Sequence, residues 1–190
     1  MSHEKEPGSD VSRLAPFRPY LQMLARMAWD WRLGAKLDPS DIVQETLVEA
    51  QRKLSQFQGA TDAELAAWLR RILANELAQA RRTFRQEKRD LLRENSYEDL
   101  VEQSSMRLAG LPAGDDTSPS MRAEFNERAL RIAAAVESLP EGQREAVVLH
   151  YFQDLTLPEI AERVQKSTTA VAGLVHRGLK TLRSTLSEDI

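Results

Sequence analysis

Two helical segments near the C-terminal end are separated by so few residues that they must cross closely. The segment "LTLPEIAERV" opens with Thr156 and Glu159 in the capping-box pattern of a helix start, and Ser167 can cap the helix that follows. Helices that cross this closely need a small residue at the crossing and apolar residues at fixed inward offsets. Ala161 is the small residue, and the inward positions hold Ile160, Val164, Val171 and Leu174. This spacing predicts a helix-turn-helix.

Two positions depart from that pattern. Gln165 stands at the turn position that usually favours glycine, because the turn requires a positive φ. Lys166 follows at a position where an apolar residue is common. Since any tight helical hairpin imposes similar demands, a packed hairpin without DNA contact remains an alternative at this point.

The second helix of the motif, starting at Thr168, is the predicted recognition helix. The N-terminal side chains of such a helix lie nearest the base edges, which assigns Thr168 and Thr169 to bases or phosphates. His176, Arg177 and Lys180 lie further along and are predicted to meet phosphates. No Arg, Lys, Asn or Gln stands in this helix before Arg177, so bidentate base contacts are missing there. DNA shape, thymine methyl groups and backbone contacts are therefore expected to contribute more to the recognition of the DNA sequence.

Helix signals also dominate the first half of the chain. Asp38 can cap a helix with Pro39 at its first position, and Thr61 with Glu64 forms a capping-box pattern. An earlier helix is predicted around 20–33. The segment "TDAELAAWLRRILANELAQARR" carries a buried apolar stripe that includes a tryptophan, with its arginines expected on the remaining surface. No convincing strand alternation occurs, which predicts an all-α fold.

The segment "RLAGLPAGDDTSPS" (107–120) concentrates Gly, Pro, Asp and Ser, and it reads as a linker. The sequence therefore predicts two small helical domains joined by a flexible acidic linker, the C-terminal domain being a helix-turn-helix. The predicted boundaries are a disordered N-terminal tail at 1–16, a first module at 17–95, the linker at 96–120 and a second module at 121–190.

Charge is distributed unevenly although the net charge is only −3. One basic block comprises Arg70, Arg71, Arg81, Arg82, Arg85, Lys88, Arg89 and Arg93, and a second runs from Arg163 to Arg183. An acidic segment, 98–127, lies between them. Two basic blocks separated in this way suggest two sites on one extended polyanion.

Several function classes are excluded by what the sequence lacks. The chain has no cysteine, and His3, His150 and His176 are too scattered to assemble a zinc site or a catalytic triad. There is no glycine-rich phosphate loop, so we expect no cofactor, no metal and no enzymatic activity. The polar start has no secretion signal, and no apolar run approaches the roughly 20 residues that span a bilayer. A soluble, cytoplasmic protein without membrane contact is expected.

Both modules together resemble the extracytoplasmic-function (ECF) subgroup of bacterial RNA polymerase sigma factors. The first-module matches are "DIVQETLVEA" and "FQGATDAELAAWLRRILANELAQARR". The second-module matches are "LPEGQREAVVLHYFQDLTLPEIAERV" and "STTAVAGLVHRGLKTLR". The resemblance covers roughly 17–93 and 125–186, with these motifs in order and an acidic segment between them.

This resemblance implies a protein that binds core RNA polymerase and directs promoter recognition and transcription initiation. Asp41, Gln44 and Glu45 would contact the polymerase. The loop at 57–61 and the helix after it would bind the minus-ten promoter element and help open the duplex. In that helix the residues matching DNA-facing positions are Asn75, Arg81, Arg82 and Arg85. The second module would bind the minus-thirty-five element, and an anti-sigma protein is a further implied partner.

Two alternatives belong to other classes of protein. One is an ordinary helix-turn-helix regulator whose N-terminal module dimerises or senses a ligand. The other is a helical adaptor with no DNA contact. The discriminating feature is the helix that contains Asp41 and Glu45, because a sigma factor needs this face exposed, whereas a dimeric regulator would bury an apolar seam there.

Overall fold

The computed structural model describes residues 13–28, 38–87, 96–110 and 118–188. All regular structure in these ranges is helical. The α-helices are α1 (Arg18–Ala28), α2 (Pro39–Lys53), α3 (Asp62–Glu87), α4 (Tyr97–Leu108), α5 (Pro119–Glu137), α6 (Glu141–Val147), α7 (Leu157–Arg163) and α8 (Thr168–Glu188). Short 3₁₀ turns occupy Ala15–Phe17 and Leu54–Gln56, and a π-helical turn, Val148–Phe152, follows α6. The predicted all-α fold with two helical domains is confirmed, and the flexibility of the linker stays a prediction.

The helix starts in the first module follow the predicted caps. The backbone N–H of Ser40 donates to Asp38 Oδ1 at 2.9 Å, and Pro39 begins α2. At α3 the backbone N–H of Thr61 donates to Glu64 Oε2 at 3.0 Å, while Glu64 N–H donates to Thr61 Oγ1 at 3.2 Å. Each cap satisfies backbone donors that the first helical turn leaves without an intrahelical partner.

The first module packs α1, α2 and α3 around one apolar core. Its α3 stripe repeats every four residues and is fully buried, at Leu65, Leu69, Leu73 and Leu77. Helix α1 contributes a continuous buried run from Tyr20 to Ala25. Trp68 packs at the margin of this core, with its ring centroid 5.3 Å from that of Phe57. Trp68 therefore packs against the core, but it is half-buried and not fully buried like the leucines of the predicted stripe. Trp29 and Trp31 lie outside the described residues.

Helix α4 lies inside the segment that the sequence analysis assigns to the linker. It contacts α1, α3 and α5, and it buries Tyr97, Val101 and Leu108. The sequence pattern missed this helix because two serines, Ser104 and Ser105, occupy its buried face and interrupt the apolar period. Their hydroxyls have partners: Ser104 Oγ donates to the carbonyl of Leu100 at 2.7 Å, and Ser105 Oγ shares a 2.7 Å hydrogen bond with the Tyr20 hydroxyl.

Arg70 is a second departure from the sequence analysis, which placed the arginines of this helix on its surface. Only 9% of Arg70 is exposed. Its Nε donates to Glu102 Oε2 at 2.9 Å, and its Nη1 donates to the Tyr20 hydroxyl at 2.8 Å and to Asn126 Oδ1 at 3.0 Å. These partners lie on α1, α4 and α5, so the burial depends on tertiary contacts and not on the pattern of α3.

The helix-turn-helix forms as predicted. At α7, Thr156 N–H donates to Glu159 Oε2 at 2.8 Å, and the bond from the Thr156 hydroxyl lowers the pKa of this carboxyl. Ser167 caps α8 by accepting from Ala170 N–H at 3.2 Å. The core under both helices comprises Ala146, Leu149, Ile160, Ala161, Val171 and Val175. Val164 and Leu174 pack against it, half-buried.

The turn between α7 and α8 has the left-handed residue that the sequence pattern requires. Gln165 has φ +53°. The backbone N–H of Lys166 donates to the Ala161 carbonyl at 2.9 Å, and Gln165 N–H donates to the Glu162 carbonyl at 3.3 Å. This pair of bonds is the Schellman arrangement of a helix end. Lys166 is exposed, so it supplies no apolar contact there.

Replacing Gln165 tests the strain at this turn. A side chain in the left-handed region costs roughly 1–2 kcal/mol of stability, which glycine avoids. Glycine instead lowers stability by about 0.5–1 kcal/mol, because its more flexible unfolded chain loses more entropy on folding. We expect Gln165→Gly to raise the free energy of unfolding by about 0.5–1 kcal/mol in urea titrations. Gln165→Ala removes the same side chain but keeps the strain, so it serves as the matched control. A glycine variant no more stable than the alanine variant would contradict the assignment of strain.

Two glycines of α8 differ in what a methyl group would meet. A Cβ at Gly178 would lie 2.7 Å from Val147 Cγ2 on α6, whereas a Cβ at Gly173 would meet only the end of the flexible Arg177 side chain, at 3.2 Å. Overpacking costs about 1–3 kcal/mol, and alanine gains up to about 1 kcal/mol over glycine in a helix. We expect Gly178→Ala to lower the free energy of unfolding by about 1–2 kcal/mol and Gly173→Ala to raise it. Equal changes measured for the two variants would show that α6 and α8 are not in close contact.

Candidate nucleic-acid interface

The recognition helix α8 separates its buried and exposed residues clearly. Val171 and Val175 face the core, and Gly178 is also buried. The five positions predicted to meet DNA are all exposed: Thr168, Thr169, His176, Arg177 and Lys180. The uncharged front of this helix therefore has two faces, one that packs and one that is open to a ligand.

The Arg177 guanidinium lies further toward the helix start than its backbone position. Its Nη1 is 3.2 Å from the point where a Cβ at Gly173 would stand, one turn earlier. Helical side chains tilt toward the N-terminus, and glycine leaves room for this one to lie flat. A positive charge is thus present beside the part of α8 that carries no charged residue.

The first module presents part of its predicted DNA surface along α3. Asn75 and Arg82 are exposed, and residues seven apart share a helix face. Arg71 is exposed one turn before Asn75 and extends the same face, a role not evident from its place in the basic block alone. Arg81 is half-buried, with its guanidinium carbon 5.7 Å from the Tyr97 ring centroid.

Other predicted residues of this basic block cannot be placed in the same way. Arg85 belongs to α3, but its side chain lies outside the described residues. Lys88, Arg89 and Arg93 also lie outside them.

Of the scattered histidines, His3 lies outside the described residues. His150 is half-buried, and its Nδ1 is hydrogen-bonded to the Leu155 carbonyl at 2.9 Å.

A second exposed face lies on α2. Asp41, Gln44 and Glu45 are exposed there, and the Arg18 guanidinium donates to Gln44 Oε1 at 3.0 Å. Val48, one turn later, is 41% exposed and was not singled out from the sequence. The sequence could have indicated that Val48 belongs to this face, because it follows Gln44 and Glu45 at helical spacing. No apolar seam is buried on this face within the described part of the chain.

Acidic side chains of α2 and α3 lie close together beside this face. Partial burial and the nearby carboxylates of Glu45 and Glu49 raise the pKa of Glu76, which lies on the neighbouring α3. Glu49 itself is paired with Lys53 at 2.7 Å, and this bond lowers its pKa. A partner that docks here is favoured if it presents positive charge.

Neither a metal cluster nor a membrane-spanning helix emerges from the ranges that the structure describes. No group of three or more His, Asp or Glu side chains there could hold a metal ion. No helix among those residues has the length and apolarity needed to cross a membrane.

Two sequence profiles of one family match the chain in order. The profile of Sigma-70 region 2 matches residues 16–96, and that of Sigma-70 region 4 matches residues 129–182. The first match spans α1 to α3. The second begins within α5 and spans the helix-turn-helix.

Individual relatives extend over most of the chain. The ECF RNA polymerase sigma factor SigE of Mycolicibacterium smegmatis is 26% identical over 205 aligned residues, which cover 96% of this chain and 71% of SigE. The ECF sigma factor BldN of Streptomyces coelicolor is 26% identical over 165 residues, and 84% of this chain spans 54% of BldN.

Among solved structures, the sigma factor RpoE of Bartonella quintana, crystallised with the anti-sigma factor NepR, is similar at 23% identity. The match covers 94% of this chain and 97% of that one, with a TM-score of 0.33. The alternative of an ordinary helix-turn-helix regulator is not favoured by the profiles and sequence relatives. Since both sigma-70 regions occur in order and its sequence relatives are ECF factors, the chain belongs to the ECF subgroup of the sigma-70 family.

Proposed function

We propose that this protein is a sigma factor that binds core RNA polymerase and directs it to promoters, with no catalytic activity of its own. The observation that carries the proposal is the presence of both sigma-70 regions in one chain, each with its contact helix exposed. Polymerase and promoter DNA meet in the bacterial cytoplasm, so the protein acts there. Membership of the family supports an anti-sigma protein as a further partner.

The first module binds the minus-ten element in this proposal. Asn75, Arg82 and the preceding Arg71 line one exposed face of α3, while Arg81 and Arg85 belong to the same basic block. Positive charge at such a surface releases counterions from the phosphate backbone and supplies affinity without reading sequence. The loop at 57–61 lies at the start of this helix, where it meets the strand that must leave the duplex.

The second module binds the minus-thirty-five element through α8. Thr168 and Thr169 stand at the start of the helix, where side chains reach base edges in a helix-turn-helix complex. His176 and Lys180 contact phosphates further along. Arg177 contacts a phosphate beside Gly173, because its guanidinium lies over that residue, one turn toward the helix start.

The α2 face binds the polymerase. Asp41, Gln44 and Glu45 supply polar contacts, and the exposed Val48 adds an apolar contact beside them. Interfaces of this kind concentrate affinity in a few central residues surrounded by weaker contacts. Burial and, to a lesser extent, the carboxylates of Glu45 and Glu49 raise the pKa of Glu76 beside this face, and a basic partner surface would relieve the second of these effects.

Run-off transcription with core polymerase and fragmented genomic DNA tests the function. We expect specific start sites that appear only when the protein is added. The matched control is the same protein with Thr168→Ala and Arg177→Ala, which keeps α2 intact and should lose most upstream-dependent starts. Absence of any added start site with the unmodified protein would contradict the proposal.

The polymerase contact is tested with Gln44→Ala and Glu45→Ala combined. Loss of two exposed polar side chains at the centre of an interface should weaken binding to core polymerase about tenfold or more, with the fold unchanged. The control is Glu98→Ala with Gln103→Ala on α4, which removes the same two residue types from an exposed surface elsewhere. Equal polymerase affinities for the two variants, measured by titration with labelled protein, would remove this face from the interface.

A further inference from the structure

The face of α3 that is proposed to bind promoter DNA ends in an aromatic pair. Trp68, Arg71 and Asn75 are spaced by three and four residues, so they lie on one side of the helix. Arg82 continues this face seven residues after Asn75. At the other end, the Trp68 ring centroid lies 5.3 Å from that of Phe57, the first residue of the 57–61 loop. The basic face of α3 thus leads directly onto the aromatic ring of this loop.

Local contacts fix the position of the Phe57 ring. The carboxylate of Glu64 accepts hydrogen bonds from the backbone N–H groups of Ala60 and Thr61, at 2.9 and 3.0 Å. Gly59 lies against the ring, since a Cβ at this residue would overlap with Cζ of Phe57. The loop therefore has one defined shape, in which the ring contacts both Gly59 and the tryptophan of α3.

Arg13 brings a positive charge to this ring from a distant part of the chain. Its guanidinium carbon lies 5.4 Å from the Phe57 ring centroid, within the range of a cation–π contact. The next residue, Leu14, is buried in the core of the first module, as is Phe17. Arg13 itself is exposed, and no ion pair between described residues includes it. The charge is therefore anchored at the loop without being neutralised by a carboxylate of the described residues.

A guanidinium that stacks on a ring keeps the N–H donors at its edge available. That edge matches the oxygen atoms of a phosphate group, which arginine binds with two parallel hydrogen bonds. Proteins that bind single-stranded nucleic acid combine such charges with aromatic side chains along the path of the strand. Arg13, the Phe57 ring and the exposed face of α3 form this combination, and they do so at the loop where the minus-ten duplex is proposed to open.

Resting on the proposed function, we propose that Arg13 is a promoter contact that lies outside the basic block of α3. It binds a backbone phosphate of the unpaired strand at the minus-ten element, and Phe57 is the positioning residue that holds its guanidinium there. A phosphate contact supplies affinity but carries no sequence information directly. Arg13 therefore strengthens the binding of single-stranded DNA of any sequence.

Binding of a labelled single strand tests this contact in the full chain. The probe is a fluorescein-labelled DNA of degenerate sequence, and anisotropy gives its dissociation constant over a series of salt concentrations. Each phosphate contact on a single strand adds about 0.7 to the slope of log K against log salt concentration. We expect Arg13→Ala to lower the magnitude of this slope by about 0.7 and to weaken binding about fivefold at about 0.1 M salt.

Two variants separate a phosphate contact from a change in net charge or in loop shape. Arg128→Ala removes the same charge from an exposed position on α5, so its slope and affinity should stay those of the unmodified protein. Arg13→Lys keeps a charge at the same place and should retain the slope. An Arg13→Ala variant with an unchanged slope, even if it binds less tightly, would overturn the contact. An equal loss of slope in Arg128→Ala, or failure of the unmodified protein to bind the strand, would overturn it too.

The role of the ring is measured by combining Arg13→Ala with Phe57→Leu. Leucine keeps an apolar contact with Trp68 but offers no aromatic face to the guanidinium. If Phe57 positions Arg13, the arginine contributes less once the ring is removed, so the two changes are not additive. We expect Arg13→Ala to weaken binding less than about twofold in the Phe57→Leu background. The same loss in both backgrounds would show that the ring does not hold the arginine.

Measurements with core polymerase separate this contact from the proposed function. Polymerase affinity should be equal for the unmodified protein and Arg13→Ala, because Arg13 does not belong to the α2 face. At promoters located by run-off transcription, the permanganate reactivity of unpaired thymines should fall with Arg13→Ala and recover with Arg13→Lys. Unchanged reactivity of the alanine variant would overturn the role of Arg13 at the promoter. If no variant binds polymerase, the proposed function fails, while the salt slope on the single strand still decides the phosphate contact separately.

Discussion

The buried guanidinium of Arg70 joins more of this molecule than any other described polar group. It donates to Tyr20 of α1, Glu102 of α4 and Asn126 of α5 while its own backbone belongs to α3. Burial alone would lower the pKa of this side chain, but Tyr20 and the Glu102 carboxylate outweigh burial and raise it. Arg70 therefore stays charged, and a charge in this position requires all its partners because losing one leaves buried polarity uncompensated.

This requirement explains why the segment after the first sigma-70 region folds onto it. Tyr20 is buried, which raises the pKa of its hydroxyl, so the hydroxyl remains protonated while it bridges Arg70 and Ser105. Helix α4 is thus held by Glu102 and Ser105 at its centre, and α5 is held by Asn126 near its start. The first module consequently extends beyond its sequence match to include α4. The second module begins with α5, which already packs against the helices of the first module.

Features that depend on residues close in sequence could be predicted, whereas features that depend on tertiary contacts could not. Asp38, Thr61 and Thr156 cap helices because a cap needs only neighbours along the chain, and Gln165 takes the positive φ that the turn spacing demands. The exposure of the α8 residues that are predicted to face DNA follows equally from helical periodicity. The burial of Arg70 depends on partners 32 or more positions away, such as Glu102, and α4 is held in part by the Tyr20–Ser105 bond across 85 positions. No short window of sequence contains these partners.

Packing contacts and one neighbouring arginine explain why the start of α8 carries no charged residue. Leu174 faces the other helices, where its methyl groups lie about 4 Å from a Cβ built at Gly142, so this position serves packing. Gly173 is open on the other side and admits the Arg177 guanidinium, which a longer side chain at 173 would displace. In the proposed complex the Arg177 guanidinium contacts phosphates at the level of Gly173, because the glycine one turn earlier lets its charge lie toward the helix start. Sequence recognition at that level then depends on DNA shape and backbone contacts, since α8 carries no bidentate base donor before Arg177.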